Sequence, residues 1–235
     1  MAQMTDTLFE NNKLHATNRL VKGAPGGGGL KIQNIPEGGR APQNTPVSDR
    51  TRPPTNVTFQ NNLFYSTIPN AGSAFLLNVA GGRNVKFIHN TIFGAAGVRF
   101  VDMFGTGFEG IYFYNNIISG GGVSNTKETG IATSDHNLWM QPPEPGVTVG
   151  KNDVVLPSRR ESRLTVEQLV ASVGLVDPSA GDLRLKPESP AKNIGGKTID
   201  STSLPSADLN GFNRGSTETD LPDAGAYELG SPSSL

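Results

Sequence analysis

Cysteine is absent from these 235 residues, which excludes disulfides and thiolate-held metal sites. Neither sign of charge is in excess: 20 Lys and Arg stand against 21 Asp and Glu, a net charge of −1. Nothing electrostatic therefore argues for nucleic acid or an anionic membrane surface as a partner. No stretch approaches the roughly 18 consecutive apolar residues of a membrane-spanning helix. Met1 to Phe9 also lacks the basic stretch followed by an apolar run that an export signal requires. Aromatic residues are only 7% of the chain. What the chain does hold is 29 Gly and 17 Pro, a composition suited to short strands and turns rather than to a helix bundle. Its length supports one domain with appendages.

Self-similarity is the strongest signal. Val57-Thr58-Phe59-Gln60-Asn61-Asn62-Leu63-Phe64, Val85-Lys86-Phe87-Ile88-His89-Asn90-Thr91-Ile92 and Ile111-Tyr112-Phe113-Tyr114-Asn115-Asn116-Ile117-Ile118 align without gaps. Leu8-Phe9-Glu10-Asn11-Asn12-Lys13-Leu14 fits the same frame, and Ser134-Asp135-His136-Asn137-Leu138-Trp139 fits it more weakly. The shared Asn falls at 12, 62, 90, 116 and 137, with gaps of 50, 28, 26 and 21 residues. The first gap has room for two coils or for one with a long loop.

A right-handed parallel β-helix accounts for this pattern: each coil carries short strands, and equivalent residues stack about 4.8 Å apart on the next coil. Alternation then points Val57, Phe59, Val85, Phe87, Ile111 and Phe113 inward and Thr58, Lys86 and Tyr112 outward. Asn12, Asn62, Asn90, Asn116 and Asn137 are expected to form a structural ladder, each tolerating left-handed backbone and bonding its amide to the next. Truncating Asn90 to Ala should remove two such bonds, at a cost on the order of 1–3 kcal/mol. Ala74 to Val79 and Val98 to Met103 are the candidates for a second sheet.

The β-helix is expected to occupy residues 1–141, with residues 23–55, rich in Gly and Pro, as a long excursion. Its glycine run is not followed by Gly-Lys-Ser/Thr, so it is no phosphate loop. Residues 142–235 read as a non-repetitive C-terminal segment capping the last coil. It contains one short helix, Thr165 to Val173, for which Thr165 and Gln168 supply a capping box. Asp182-Leu183-Arg184-Leu185 reads as a strand, and Ala224 to Leu229 as the closing strand. The fold class expected is therefore all-β.

The segments of the form Asn-Val-x-Phe-x-Asn-Asn, with Ser134-Asp135-His136-Asn137-Leu138-Trp139, resemble right-handed β-helix proteins of the pectate-lyase-like superfamily. The tail is more specific: Asp182 to Ala191, Asp208-Leu209-Asn210-Gly211 with Arg214, and Asp223-Ala224-Gly225-Ala226-Tyr227-Glu228. It resembles the C-terminal end of bacterial β-helix repeat proteins of the choice-of-anchor Q type. Related tails close polysaccharide lyases of the alginate-lyase and chondroitinase-B type. The resemblance implies an extracellular or periplasmic bacterial protein associated with acidic polysaccharide, and a monomer is expected.

A lyase of that kind neutralises a uronide carboxylate, often with Ca²⁺ on acidic oxygens, and needs a base for the C5 proton and an acid for the leaving oxygen. Lys86 is the candidate base and Tyr112, one coil on, the candidate partner. Thr58, Gln60, Tyr114 and Trp139 are the candidate substrate contacts. No metal ligands are assigned and no cofactor beyond Ca²⁺ is suggested. Asp208 to Gly211 imitates the start of an EF-hand loop, but Thr219 stands where the twelfth-position Glu is required, so a turn is expected. His89 and His136, equivalent but not on adjacent coils, are expected to cap turns. Arg99 and Asp102 fall on opposite faces of one strand, and adjacent Asp135 and His136 are expected to diverge. Asp223 and Glu228 are expected to bond backbone or Arg214. Three functions fit: a uronide lyase or the C-terminal part of one, a non-catalytic β-helix binding carbohydrate or a partner, and an inert segment of a larger exported protein.

Overall fold

A computed structural model describes residues 5–15, 30–32, 55–66, 77–94, 101–119, 121–123, 132–157, 165–199, 202–215 and 220–233. In chain order the first strands are β1 (Thr5–Glu10), β2 (Lys13–His15), β3 (Leu30–Ile32), β4 (Thr55–Gln60), β5 (Leu63–Ser66), β6 (Leu77–Ile88), β7 (Thr91–Gly94) and β8 (Val101–Tyr114). There follow β9 (Ile117–Ile118), β10 (Gly121–Val123), β11 (Ala132–Asp135), β12 (Leu138–Trp139), β13 (Val147–Thr148) and β14 (Val154–Val155). The C-terminal part holds α1 (Val166–Ser172), β15 (Leu175–Asp177), β16 (Asp182–Leu185), β17 (Thr198–Ile199) and β18 (Thr202–Ser203). The described residues are thus essentially all-β with one short helix. Among the described residues no helix is long and apolar enough to cross a membrane.

Two parallel sheets carry the same repeats in the same spatial order. One runs β1-β4-β6-β8-β11-β13, and the other runs β2-β5-β7-β9-β12-β14. Phe9 lies directly opposite Phe59, so the 50-residue gap is one repeat with a long insertion. Of the expected excursion, Leu30–Ile32 pairs with Leu77–Val79 and Thr55 opens β4, while residues 23–29 and 33–54 lie outside the described residues. The second sheet departs from expectation. Leu77–Val79 and Val101–Met103 run on into β6 and β8 as part of the first sheet. The second sheet is instead built from the residues just after each shared Asn, because the chain turns sharply there.

The residue that makes the turn is the one before the shared Asn. Asn11, Asn61, His89, Asn115 and His136 all have positive φ, between 51 and 60°, whereas the shared Asn residues do not. The left-handed position therefore lies one residue earlier than expected, and Asn and His are among the few side chains that tolerate it. Asp6, Asn56, Asn84 and Gly110 form a second left-handed column that bends β1, β4, β6 and β8. Its amides are also joined, Asn84 Nδ2 to Asn56 Oδ1 at 2.8 Å and Asn56 Nδ2 to Asp6 Oδ1 at 2.7 Å.

Freed from the turn, the shared Asn side chains point inward and join the repeats. Asn12, Asn62, Asn90, Asn116 and Asn137 each donate from Nδ2 to the next residue of the series, at 2.8–3.0 Å. The acceptor for Asn137 is Asp153, which extends the repeat past Gln141, where it was expected to stop. Val147–Thr148 and Val154–Val155 pair with β11 and β12 as a further repeat. Asn152-Asp153-Val154-Val155 is the Asn-Asn-Ile-Ile motif with Asp in the ladder place. A terminal member needs only acceptors, and Asp153 supplies them to Asn137 N, Asn137 Nδ2, Gly150 N and the Ser134 hydroxyl.

Phe9, Phe59, Phe87 and Phe113 stack inside at 4.7–5.1 Å between ring centroids, with planes within 8°. Ser134 takes the next place in the column. The space that this small residue leaves is filled from the other sheet by Trp139, whose indole meets Phe113 edge-on at 5.6 Å.

Residues 147–155 of the C-terminal segment form the last repeat of the stack, and the rest of its described residues pack elsewhere. They lie along the outer face of the second sheet, where Leu63, Phe93, Ile117, Leu138 and Met140 pack against Leu169, Val173, Leu183, Leu185, Ala226 and Tyr227. That face is apolar and would otherwise face water, so covering it removes apolar surface from solvent. α1 carries the expected capping box, Gln168 N to Thr165 Oγ1 at 3.2 Å and Thr165 N to Gln168 Oε1 at 2.9 Å. Ala224–Leu229 is a bonded turn rather than a strand.

Candidate functional site

The left-handed column is where the C-terminal segment is held. Asn61 Nδ2 donates to Ala207 O at 2.9 Å, and its Oδ1 accepts from Arg214 Nη2 at 3.0 Å. Asn115 makes a reciprocal pair with Gly196, 2.8 Å to the carbonyl and 2.9 Å from the N–H. His136 Nδ1 lies 2.6 Å from Ile194 O. At Asn61-Asn62, Asn115-Asn116 and His136-Asn137 the first side chain therefore binds the tail and the second binds the neighbouring repeat. Asp223 takes Asn193 N and Leu229 N on its two oxygens, and Glu228 takes Arg214 and Asp223 N. Asp208 Oδ1 closes a turn on Asn210 N and Phe212 N.

His89 is buried at the middle of this column. Asn115 Nδ2 lies 2.8 Å from His89 Nε2. Since Gly196 N already engages Asn115 Oδ1, the amide must donate and Nε2 must accept, which requires a neutral imidazole. Nδ1 has no partner in hydrogen-bonding geometry. Burial, then the nearby Arg214 charge, pushes the His89 pKa well below the ordinary imidazole value, against smaller opposing effects of the Gly225 and Asp223 backbone. Below pH ~6.5 the unfolded chain takes up a proton that the folded chain refuses, so stability falls as pH falls, by ~1.4 kcal/mol per unit. His89→Asn puts at this place the residue found at 11, 61 and 115. It should gain on the parent chain by about 2 kcal/mol between pH 7 and pH 5 in urea denaturation. Titration of Glu228 runs in both chains and cancels in that difference. A gap independent of pH would refute the neutral His89.

On the opposite, outer face of the first sheet, Thr58, Lys86, Tyr112, Thr133 and Thr148 stand in register on five successive strands. All five are partly or fully exposed. At the spacing of parallel strands this row is about 19 Å long. Tyr112 lies flat on it. Its hydroxyl end is over Gly110, where an added Cβ would come within 3.1 Å, and its ring is 5.9 Å from that of Tyr114. The neighbouring row, Glu10, Gln60, Ile88, Tyr114 and Asp135, differs from expectation at its centre. Gln60 is half-exposed and bonds Glu10 at 2.5 Å, but Ile88 is 3% and Tyr114 6% exposed. Tyr114 is therefore a support for Tyr112 rather than an open contact. Trp139, expected as a sugar platform, is fully buried by the Ser134 gap and offers no face to a ligand.

Asp135 and His136 do converge, contrary to the expectation from strand alternation, because His136 is left-handed and swings to the same side. His136 Nε2 is 3.7 Å from Asp135 Oδ2, and Asn152 Nδ2 lies 3.2 Å from each of these atoms. Arg99 lies outside the described residues, and Asp102 sits in β8 opposite Asn78. Among the described residues no three His, Asp or Glu side chains are placed together to hold a metal ion.

A cleft of about 270 Å³ opens where the C-terminal segment meets the first repeats, lined among others by Lys13, Tyr65, Gly181, Asp182, Arg184 and Tyr227. Sequence reasoning passed over these residues. They come from regions more than 100 positions apart that only docking of the tail brings together. No protein-family model and no curated protein matches this chain.

Proposed function

We propose that the chain is a right-handed parallel β-helix of the pectate-lyase-like kind, acting outside the cytoplasm, and that the row Thr58-Lys86-Tyr112-Thr133-Thr148 binds a linear acidic polysaccharide without cleaving it. The observation that supports this is the register of that row. Five accessible side chains, hydroxyl-bearing except for Lys86, repeat at strand spacing, as a long glycan lying across the strands requires. Tyr112, flat on the surface, offers a ring for a sugar to stack on, and Lys86 offers a cation for a carboxylate. Elimination needs a proton acceptor and donor converging on one sugar. Lys86 and Tyr112, the candidate base and its partner, stand side by side in the row, so the assay below decides between binding and elimination.

Calorimetric titration with alginate, pectate and chondroitin oligomers tests the reading. At least one should bind, and Tyr112→Ala and Lys86→Ala should each weaken it about tenfold, equivalent to ~1.4 kcal/mol. Ultraviolet absorbance should show no unsaturated product from any of the three. Product formation abolished by Lys86→Ala would replace binding by the lyase reading. Failure of all three glycans to bind would leave an inert structural segment.

A further inference from the structure

The charge carried by the outer row narrows the kind of glycan that suits it, an inference that rests on the binding reading above. Strands repeat about 4.8 Å apart, close to the advance of one sugar along an extended pyranose chain, so each strand of the row faces about one sugar. Across five strands the row has one charged member, Lys86, in register with Thr58 on one side and Tyr112 on the other. Thr133 and Thr148 continue it with hydroxyls alone.

The flanks do not add a second free cation in register. Two residues further along the strands, the neighbouring row carries Glu10 and Asp135, both acidic. Three residues back, Arg83 stands opposite Glu109 and pairs with it at 3.5 Å, so the two charges offset each other. Tyr112 offers the face of its ring, which is the negative side of an aromatic group. That face suits the C–H bonds of a sugar and disfavours a carboxylate. A polymer with a carboxylate on every sugar would set one against Lys86 and the others against hydroxyls, the Tyr112 ring and acidic neighbours. Each of those others gives up water without gaining a counter-charge. Uncharged sugars lose less, because Thr hydroxyls both donate to and accept from sugar hydroxyls.

We infer that the row selects a largely neutral glycan with isolated carboxylates, one of them seated on Lys86 with an uncharged sugar on Tyr112. Galacturonate hexamers test this with the sugar held constant: one fully methyl-esterified, one with a single free carboxyl on an inner sugar, one fully ionised. Calorimetry on the full chain should show the singly charged hexamer bound about tenfold more tightly than the esterified one, and at least about threefold more tightly than the fully ionised one. Lys86→Ala should erase the first difference and leave the affinity of the esterified hexamer unchanged. Thr133→Lys adds a cation two strands on at an exposed position. It should raise the affinity of the fully ionised hexamer severalfold and remove its disadvantage. A fully ionised hexamer that binds the parent chain as tightly as the singly charged one, or more tightly, would overturn the inference and leave the acidic-polysaccharide reading standing. Absence of binding across the series would overturn it too, and the alginate and chondroitin titrations would then decide the wider reading. Affinities indifferent to Lys86→Ala would overturn both.

Discussion

Arg214→Met should lower the unfolding free energy at pH 8 by about 3–5 kcal/mol, the range for removing one partner of a buried ion pair. Arg214 is buried between the stack and the tail and uses all of its nitrogens. Nη1 reaches Glu228 Oε1 at 2.6 Å, Nη2 reaches Asn61 Oδ1 and Gly225 O at 3.0 Å each, and Nε reaches Ala207 O at 3.3 Å. Methionine keeps much of the volume but leaves Glu228 without its counter-charge. Burial already raises the Glu228 pKa to about 7 against the pull of Arg214, and the substitution should raise it further. A carboxyl whose folded pKa exceeds its unfolded value contributes least above the folded pKa, so the variant should recover stability as pH falls and Glu228 takes up a proton. Loss of the Arg214 charge also relieves the penalty on protonating His89. Both effects act in one direction. Parallel denaturation of the two chains should show a gap that narrows from pH 8 to pH 5, and a constant or widening gap would contradict the ion-pair account.

Asn90→Ala should cost about 4 kcal/mol, more than the two bonds inferred from the repeat would give, because four bonds are lost at a fully buried site. Asn90 Oδ1 accepts from both Asn62 N and Asn62 Nδ2 at 3.0 Å. Its Nδ2 donates to Asn116 Oδ1 at 3.0 Å and Phe59 O at 2.9 Å. Alanine leaves each of those partners short of a bond where water cannot replace it. Asn12→Ala provides the control: it is the exposed first member of the ladder, and its loss should cost under about 1 kcal/mol. Similar small losses at both positions, measured by chemical denaturation, would mean that the ladder contributes little.

The repeat was legible because stacking demands identity. A residue that must meet its own equivalent on the next strand recurs, so the Phe column and the Asn series appear directly in the sequence. Asp153 was legible by the same rule, had Asp been admitted as the accepting end of an Asn series. The two residues of each Asn-Asn or His-Asn pair were harder to separate. Adjacent positions of one composition do different work once the first turns left-handed, and that assignment depends on backbone angles.

Tertiary structure alone decided the rest. Whether an outward residue is open depends on what packs against it, so Thr58 and Lys86 stayed accessible while Ile88 and Tyr114 did not. Trp139 went inside because it stands in register with the buried Ile118, where it meets Phe113 beside the small Ser134. The rest of the tail covered a side because the second sheet has an apolar outer face, and no periodicity after Val155 indicates where that segment lies. Local pattern determined which residues repeat and which way they point from their strand. Contacts between segments far apart in the chain determined which of them water, or a ligand, can reach.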